Sequence, residues 1–265
     1  MLTLLTDFGL KDPYVAEMKA VILNKCPTAR IVDISHKIPK FDIHMGAFVL
    51  ASAASFFPRG TVHLAVVDPG VGTKRRPIIL ETKHSFFVGP DNGMLMLAAL
   101  KEGLQHAYVI ENPQFMLPKV SRTFHGRDIF APAAAYLAKG CAASGFGKEI
   151  KDYEMPDFTK PSCERNMVNG EVLHIDDFGN IITNISLKAL KELAIHKGDF
   201  LKVKISEATT TSRYCEAYGD VSLGETLVIL GSHNFLEISV NEGSAAMRFN
   251  AKRGDSVNIQ LQEDG

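Results

Sequence analysis

A carboxylate, two arginines and a histidine in the first half of the chain have the side chains that a proton transfer needs. Asp68 follows the apolar run 63–67 and precedes Pro-Gly-Val-Gly-Thr-Lys, after which come Arg75 and Arg76. His125 lies within the sequence Thr-Phe-His-Gly-Arg-Asp. A carboxylate and an imidazole that hold one water can take its proton, and an arginine can orient the carboxylate. A simpler interpretation stays open, because Asp-Pro-Gly is common turn chemistry and arginines are often solvated.

Two aspartates near the start of the chain are further candidates for binding a polar ligand. Asp7 follows the apolar run 2–6, and α/β sheets bind ligands at the carboxyl ends of their strands. Asp7 can equally be a turn former before Gly9. Asp12 precedes Pro13, a pattern typical of a helix N-cap and the first helical residue, so Asp12 can be a cap and nothing more.

The second half of the chain contains two polar turns next to aromatic residues. They are 176–180, Asp-Asp-Phe-Gly-Asn, and 231–234, Gly-Ser-His-Asn. Phe178 lies within the first turn and Phe235 follows the second. Turn formation alone would explain both sequences. An aromatic ring beside polar groups also suits recognition of a heterocycle by stacking and hydrogen bonds.

A metal site is the competing interpretation of the acidic residues and histidines. The candidate ligands are Asp7, Asp12, His36, His44, Asp68 and His125. No pair of them has His-x-x-x-His or His-x-His spacing, so a metal site stays possible but the spacing gives it no support. The four cysteines lie far apart without a Cys-x-x-Cys pair, which argues against a zinc ribbon or a disulfide framework and favours a reducing compartment.

Apolar runs and helical patterns alternate in the first half of the chain. Strands are predicted at 2–6, 31–34 and 63–67, and helices at 13–25 and at 42–56, the second capped by Asp42. This alternation predicts a largely parallel sheet flanked by helices on both faces.

The second half has a different pattern, with short strands, turns and one helical candidate at 187–193. It predicts a smaller all-β domain, a barrel or a sandwich. The predicted organisation is an α/β domain over 1–155 that carries the catalytic residues, a linker over 156–168, and an all-β domain over 169–265.

Composition restricts the partners and the location. Among 265 residues, 29 are Lys or Arg and 30 are Asp or Glu, which gives a net charge of −1. Nucleic acid is therefore not expected as a partner, because binding its backbone requires a basic surface. The N-terminus lacks the basic region of a signal peptide, and the longest apolar run, 46–57, is too short to span a bilayer. We expect a cytoplasmic protein without membrane contact.

Six motifs together resemble a known family. In chain order they are Thr6-Asp7-Phe8-Gly9 with Asp12, Val67-Asp68-Pro69-Gly70-Val71-Gly72-Thr73, Gly89-Pro90-Asp91-Asn92-Gly93, Thr123-Phe124-His125-Gly126-Arg127-Asp128, Asp177-Phe178-Gly179-Asn180, and Gly231-Ser232 through Asn241. They resemble the S-adenosyl-L-methionine (SAM) hydroxide adenosyltransferases, or SAM hydrolases, which are relatives of the fluorinase and chlorinase.

The resemblance implies a fold, an assembly and a reaction. It implies an N-terminal α/β domain and a C-terminal β domain in each subunit of a homotrimer. SAM would bind between the N-terminal domain of one subunit and the C-terminal domain of its neighbour. SAM and water would give adenosine and L-methionine, with SAM as substrate and without a metal or another cofactor.

The resemblance also implies roles for individual residues. The family's catalytic Asp-Arg-His set falls on Asp68, Arg75 and His125, with the adjacent Arg76 as an alternative arginine. The substrate-binding positions fall on Asp7 for the ribose, on Asp12 and either Asp176 or Asp177 near the methionine end, and on Phe41, Thr73, Phe178, Asn180, Ser232, Glu237 and Val240.

Two positions bear on the nucleophile. The halogenases carry a tyrosine where this chain has Asp68, and a carboxylate repels a halide, so Asp68 favours water. The fluorinase has a serine where this chain has Gly126, although Gly126 alone would not exclude a chlorinase. Two other functions remain open at this point: a SAM or adenosine binding module without turnover, and a metal-dependent hydrolase of a phosphorylated nucleoside.

Overall fold

The computed structural model describes residues 1–155, 161–164 and 166–262. The chain divides into two compact units, Met1–Asp157 and Phe158–Gly265. The predicted linker, 156–168, lies partly outside the described residues. Within its described part, Ser162–Glu164 is a strand that pairs with the strand beginning at Met167, so these residues extend the second sheet.

The first unit contains a six-stranded mixed sheet. Its strands are β1 Leu2–Thr6, β2 Ile31–Ser35, β3 Val62–Val66, β4 Pro77–Thr82, β5 Phe86–Pro90 and β6 Leu104–Val109, in the order β2-β1-β3-β5-β4-β6. Strands β2, β1, β3 and β5 are parallel, whereas β4 is antiparallel to both of its neighbours. The largely parallel sheet of the prediction is thus corrected to a mixed one, because a tight hairpin joins β4 to β5 where a helical crossover would have kept them parallel.

Four helices cover this sheet. They are α1 Tyr14–Lys25, α2 Ile43–Ala53, α3 Met96–Lys101 and α4 Ala131–Ala138. Helix α1 packs against α4, and α2 packs against α3. The first pair shares one buried cluster with alternate residues of the central strands, Leu2 and Leu4 in β1 and Leu64 in β3.

The N-termini of α1 and α2 test the two predicted N-caps, Asp12 and Asp42. Asp42 accepts a hydrogen bond from Met45 N at 2.8 Å, which confirms it as the cap of α2. At the start of α1 the cap position is Pro13, and no side chain caps it. The interpretation of Asp12 as an N-cap is therefore wrong, since the helix begins one residue later than that pattern requires.

The second unit is a closed barrel with two short helices. Its strands are β7 Ser162–Glu164, β8 Met167–Ile175, β9 Ile181–Ser186, β10 Phe200–Ile205, β11 Ala208–Cys215, β12 Thr226–Leu230, β13 Phe235–Val240 and β14 Ser256–Leu261. In the order β14-β10-β11-β12-β13-β9-β8, seven strands close through the pairing of β14 with β8, and β7 pairs antiparallel with the first residues of β8. The helices are α5 Leu187–Glu192, which was predicted, and α6 Ala245–Phe249, so the expected all-β domain is corrected to a barrel that carries helices.

The barrel core follows the period of two that strands impose. In β10 the alternate residues Leu201, Val203 and Ile205 are buried, and the residues between them are exposed. Strand β11 has no such apolar alternation, because its first half is rich in threonine, and for that reason the sequence did not predict it. Across the described part of both units, no helix has the length and apolar character needed to cross a bilayer.

The buried histidine of β3 makes the stability of the first unit depend on pH. His63 is fully buried, its Nδ1 lies 2.8 Å from Thr3 Oγ1, and its ring stacks on Phe87. Burial lowers the pKa of His63 to about 4. The unfolded chain, in which this pKa is about 6.5, therefore binds more protons between those pH values, and the free energy of unfolding falls as the pH drops.

We expect His63 to lower the free energy of unfolding by on the order of 3 kcal/mol when the pH falls from 7 to 4. Urea denaturation of the wild type and of His63→Leu at both pH values measures it. The variant should lose less stability on acidification than the wild type. An equal loss in both proteins would show that His63 does not cause the effect.

Candidate active site

Asp68 and Arg75 form a buried bidentate ion pair at the carboxyl end of β3. Arg75 Nε donates to Asp68 Oδ1 at 3.1 Å, and Arg75 Nη2 donates to Asp68 Oδ2. The two side chains are only 5% and 7% exposed. The planar guanidinium matches both carboxylate oxygens, so the pair fixes the orientation of the carboxylate as well as its charge.

A tight loop between the two residues sets this geometry. Val71 N donates to Asp68 O at 3.3 Å, and Thr73 N donates to Gly70 O at 3.2 Å. The hydroxyl of Thr73 donates to Gly70 O at 2.7 Å and accepts a bond from Arg75 N at 3.3 Å. Thr73, a predicted substrate-binding residue, therefore uses its side chain to shape the loop that presents Arg75.

Gly72 in the same loop can have no side chain. Its φ is +74°, and an added Cβ would lie 2.2 Å from the carbonyl oxygen of Arg122. Gly60 also has a positive φ, +79°, but an added Cβ there meets nothing within 4 Å. An alanine at Gly60 would therefore report only the cost of the positive φ. An alanine at Gly72 would report that cost together with the clash against Arg122 O.

Gly72→Ala is expected to displace the loop and lower turnover at least about tenfold, because misplaced catalytic groups react slowly. Gly60→Ala should cost about 1 kcal/mol of stability and leave turnover unchanged. Kinetic assays and thermal melts of both variants measure these effects. Similar turnover in the two variants would contradict a role for the contact at Arg122.

His125 joins the ion pair through Arg75. Arg75 Nη2 lies 3.2 Å from His125 Nδ1. A guanidinium has only donors, so Nδ1 accepts this hydrogen bond and the hydrogen of the neutral ring is on Nε2. Burial, and then the positive charge of Arg75, lower the pKa of His125, against the opposite effects of Asp68 and Asp128. The imidazole is therefore neutral near pH 7.

One nitrogen of Arg75 has no acceptor within the described part of the chain. Its Nη1 is buried and has no hydrogen-bond partner among the residues that the structure describes. Its Cζ lies 5.3 Å from the ring centroid of Phe130. A buried donor without a partner carries a desolvation cost, which a bound water or ligand oxygen at this position would relieve.

The neighbouring arginine points to other partners. Arg76 Nε and Nη2 donate to Asp91 Oδ2 at 2.9 and 2.6 Å, and Nη1 donates to Asp152 Oδ1 at 3.0 Å. The geometry therefore distinguishes the two candidates: Arg75 pairs with Asp68, whereas Arg76 ties Asp91 to Asp152.

Asp7 and Phe41 are brought together at the end of β1. Asp7 is buried, and its Oδ2 accepts a hydrogen bond from Phe41 N at 2.9 Å. Lys40 Nζ donates to the main-chain oxygen of Asp7. Phe41 has φ +65°, which is unusual for a residue with a side chain, and its ring is exposed. Asp12 is exposed in the segment before α1.

In the second unit, Asp176 organises the turn between β8 and β9. Its Oδ1 accepts from Phe178 N at 3.0 Å and from Asn180 N at 2.9 Å, and its Oδ2 accepts from Asn180 Nδ2 at 2.9 Å. Asn180 is buried by this arrangement, whereas the Phe178 ring is 82% exposed and Asp177 is exposed. Turn formation thus accounts for Asp176 and leaves the Phe178 ring on the surface.

Glu237 in β13 has two hydroxyl partners that the sequence did not reveal. Its Oε1 accepts from Tyr218 Oη at 2.7 Å and from Ser239 Oγ at 2.8 Å. Burial, and then the bond to Glu237, raise the pKa of Tyr218. Ser239 could have been found, because residues two apart in a strand share a face. Tyr218 comes from a separate turn, and nothing in its local sequence indicates the contact.

The remaining candidates have simpler environments. Ser232 is exposed in the β12–β13 turn, and Val240 is buried at the end of β13. His36, a candidate metal ligand, is buried with its Nδ1 2.8 Å from Thr6 Oγ1. The described residues include no group of three or more His, Cys, Asp or Glu side chains arranged to hold a metal ion.

Comparison with known proteins identifies the family. Residues 2–147 match the model of the SAM hydroxide adenosyltransferase N-terminal domain, and residues 170–258 match that of the C-terminal domain. The chain belongs to the SAM hydroxide adenosyltransferase family. The resemblance inferred from the six motifs is thereby confirmed.

Several known proteins are similar to this chain over nearly its whole length. A Thermus thermophilus protein named (R)-S-adenosyl-L-methionine hydrolase is 38% identical over 96% of this chain and 97% of its own length. A crystal structure of an uncharacterized conserved protein from Thermotoga maritima is 41% identical, with a TM-score of 0.94 over 98% of this chain and 100% of that one. A fluorinase from Nocardia brasiliensis is more distant, at 27% identity over 98% of this chain and 97% of its own length.

Proposed function

We propose that the chain hydrolyses (R)-S-adenosyl-L-methionine to adenosine and L-methionine. Water attacks C5′ of the ribose, the O–C5′ bond forms, and the C5′–S bond breaks with its electron pair going to sulfur. The observation that carries this proposal is the buried Asp68–Arg75 pair in contact with His125. The hydrolase name of relatives that match almost the full length of the chain supports the choice of substrate.

The chemistry explains why the nucleophile needs help and the leaving group does not. A sulfonium leaves as a neutral thioether, so no acid has to protonate it. Hydroxide is scarce at neutral pH, because the pKa of water, about 15.7, lies roughly 9 units above it, a cost on the order of 12 kcal/mol. A carboxylate that accepts the proton while the O–C5′ bond forms lowers this cost.

In this mechanism Asp68 accepts the proton and Arg75 holds its carboxylate in place. The sequence suggested that His125 shares the proton. Because Nδ1 accepts from Arg75, we assign His125 instead to donating Nε2–H, which orients the water. Arg75 Nη1 is a second donor suited to the developing hydroxide. The reaction as proposed needs no metal or other cofactor.

The role of His125 predicts a specific pH dependence. Its lowered pKa should leave kcat/KM flat above pH 6.5 and reduce it in acid, where imidazolium cannot accept from Arg75. His125→Gln keeps a donor near the Nε2 position and should retain more activity than His125→Ala, which should lose about 100-fold. Steady-state kinetics from pH 5 to 9 test this. Equal losses in His125→Gln and His125→Ala would contradict the donor role and favour His125 as the base, because Gln keeps a donor but cannot take a proton.

We further infer that the active form is a homotrimer with its site at a subunit interface. In it, the catalytic residues of one subunit's α/β domain would meet the adenosyl-binding residues of its neighbour's barrel. The proposed substrate contacts are Asp7, Asp12, Phe41, Thr73, Asp176, Phe178, Asn180, Ser232, Glu237 and Val240. Support comes from the resemblance and from the exposed rings of Phe41 and Phe178. Light scattering tests the trimer, and recovered activity on mixing Asp68→Asn with Phe178→Ala subunits tests the shared site.

The decisive experiment incubates the protein with each sulfonium epimer of SAM in ¹⁸O-labelled water, with and without EDTA. Adenosine labelled at the 5′-oxygen, together with methionine, formed from the (R)-epimer and unaffected by EDTA, is the expected result. Loss of activity with EDTA would favour a metal-dependent hydrolase. Tight binding of SAM or adenosine without products would favour a binding module. A cytoplasmic location and the absence of nucleic-acid binding stay predictions.

A further inference from the structure

A second group of charged residues lies beside His125 and has no part in the reaction proposed above. Asp128 is fully buried, and its carboxylate accepts from Ser121 N at 2.8 Å and from Arg127 Nε at 2.7 Å. Arg127 Nη1 also donates to Glu17 Oε2 at 2.8 Å, and Glu17 belongs to α1. A buried carboxylate without partners would be strongly destabilising. Asp128 therefore holds Ser121 and Arg127 in fixed positions around it.

The bond from Ser121 N to the Asp128 carboxylate joins the two ends of the segment 121–128, which carries His125. At its start, Ser121 Oγ accepts from Phe124 N at 3.1 Å, and at its end Asp128 N donates to Phe124 O at 3.1 Å. A single π-helical turn, Gly126–Phe130, begins directly after His125. Such turns are rare and are frequently found at functional sites.

The same segment contacts the loop that carries the catalytic arginine. The carbonyl oxygen of Arg122 lies against Gly72, where only a glycine fits. The segment therefore meets the Asp68–Arg75 loop at two points, at Gly72 and where His125 Nδ1 accepts from Arg75. A shift of the segment would move the imidazole relative to the guanidinium.

We propose that Asp128, held by Arg127 and Glu17, is a positioning residue for His125. It keeps the imidazole where Nδ1 meets Arg75 and Nε2–H is presented to the nucleophilic water. This inference rests on the proposed hydrolysis of SAM and adds to it a residue that touches neither substrate nor water and acts chiefly through His125.

A double-mutant cycle tests whether Asp128 acts through His125. Asp128→Asn should lower kcat/KM by about 10- to 100-fold, mostly in kcat, because the groups that bind substrate are unchanged. In the His125→Ala background the same substitution should lower kcat/KM by at least about fivefold less, since only the contact of the segment with Gly72 is left for it to act through. An equal loss in both backgrounds, or no loss in the first, would overturn the proposal.

The matched control is a second buried carboxylate of the same unit. Asp91 also pairs with an arginine, Arg76, and accepts a backbone bond from Glu154 N at 2.9 Å. Asp91→Asn should destabilise the fold to a similar extent but keep kcat/KM within about threefold. If Asp128→Asn does not fold, Arg127→Gln replaces it, because that change leaves the bond from Ser121 N in place.

A readout without turnover separates this inference from the proposed function. The ring ¹⁵N resonances of His125 should change in Asp128→Asn and stay unchanged in Asp91→Asn, because only the first variant alters the position of Nδ1. If the wild type does not hydrolyse SAM, the proposed function fails, and these resonances still decide the positioning. Unchanged resonances in Asp128→Asn would overturn it.

Discussion

Replacement of Asp68 by Asn is expected to lower kcat/KM for SAM by about 1,000-fold, within the range that a positioned general base contributes. The amide has nearly the shape of the carboxylate, so the loop from Asp68 to Arg75 can keep its course. The amide cannot take the proton of the attacking water. It also offers Arg75 one acceptor atom in place of the two carboxylate oxygens. Quantifying adenosine by liquid chromatography during a time course measures the loss.

Asp152→Asn is a suitable control for this experiment. Asp152 also pairs with an arginine, but its side chain is 80% exposed and its partner is Arg76. We expect its kcat/KM within about twofold of the wild type, because exposed ion pairs contribute little. If Asp68→Asn turned over SAM as fast as Asp152→Asn, Asp68 would be excluded as the base. The buried ion pair would then have a structural role only.

Arg75→Lys is expected to lower kcat/KM by about 100-fold, although the positive charge is kept. An ammonium group cannot donate to both Asp68 oxygens in one plane and to His125 Nδ1 at the same time, as the guanidinium does. The carboxylate and the imidazole would then lose their common support. The donor Nη1, which we assign to the developing hydroxide, would also be lost.

Arg76→Lys is the matched comparison, one residue further along the chain. Arg76→Lys weakens the pairing with Asp91 and Asp152, so it should lower the melting temperature. It should reduce kcat/KM less than Arg75→Lys does. Parallel kinetics and thermal melts of the two lysine variants separate the roles. A larger kinetic loss in Arg76→Lys than in Arg75→Lys would reverse the assignment of the catalytic arginine.

The sequence predicted most of the elements because each carries a local signal. The apolar run of β1, the cap of α2 by Asp42 and the helical pattern of α5 were all recognisable. Where the local signal is weak, the prediction failed. Threonine-rich β11 lacks an apolar alternation, and the five-residue helix α6 is too short to show a helical period. The pairing of β4 with β6 joins strands that are apart in sequence, which periodicity does not encode.

The candidate site was predictable in its residue types but not in its pairings. Spacing could not decide between Arg75 and Arg76, since both follow the same turn. The tautomer of His125 depends on a contact across 50 positions of sequence. The bond from Tyr218 to Glu237 likewise joins two separate segments of the barrel. Such contacts arise from tertiary packing. The residue types alone pointed to Asp68, His125 and either of two arginines, and the family resemblance favoured Arg75.

The opposite pairing of the two adjacent arginines limits how this loop can evolve in length. Deletion of one residue between Asp68 and Arg75 would carry Arg76 toward the place of Arg75 and take from Asp91 the cation that it now binds. An insertion would have the converse effect. Substitutions in the loop can be accumulated one at a time, but a change in its length alters the arginine partners of two buried carboxylates at once. We therefore expect natural variation here to occur by replacement rather than by insertion or deletion.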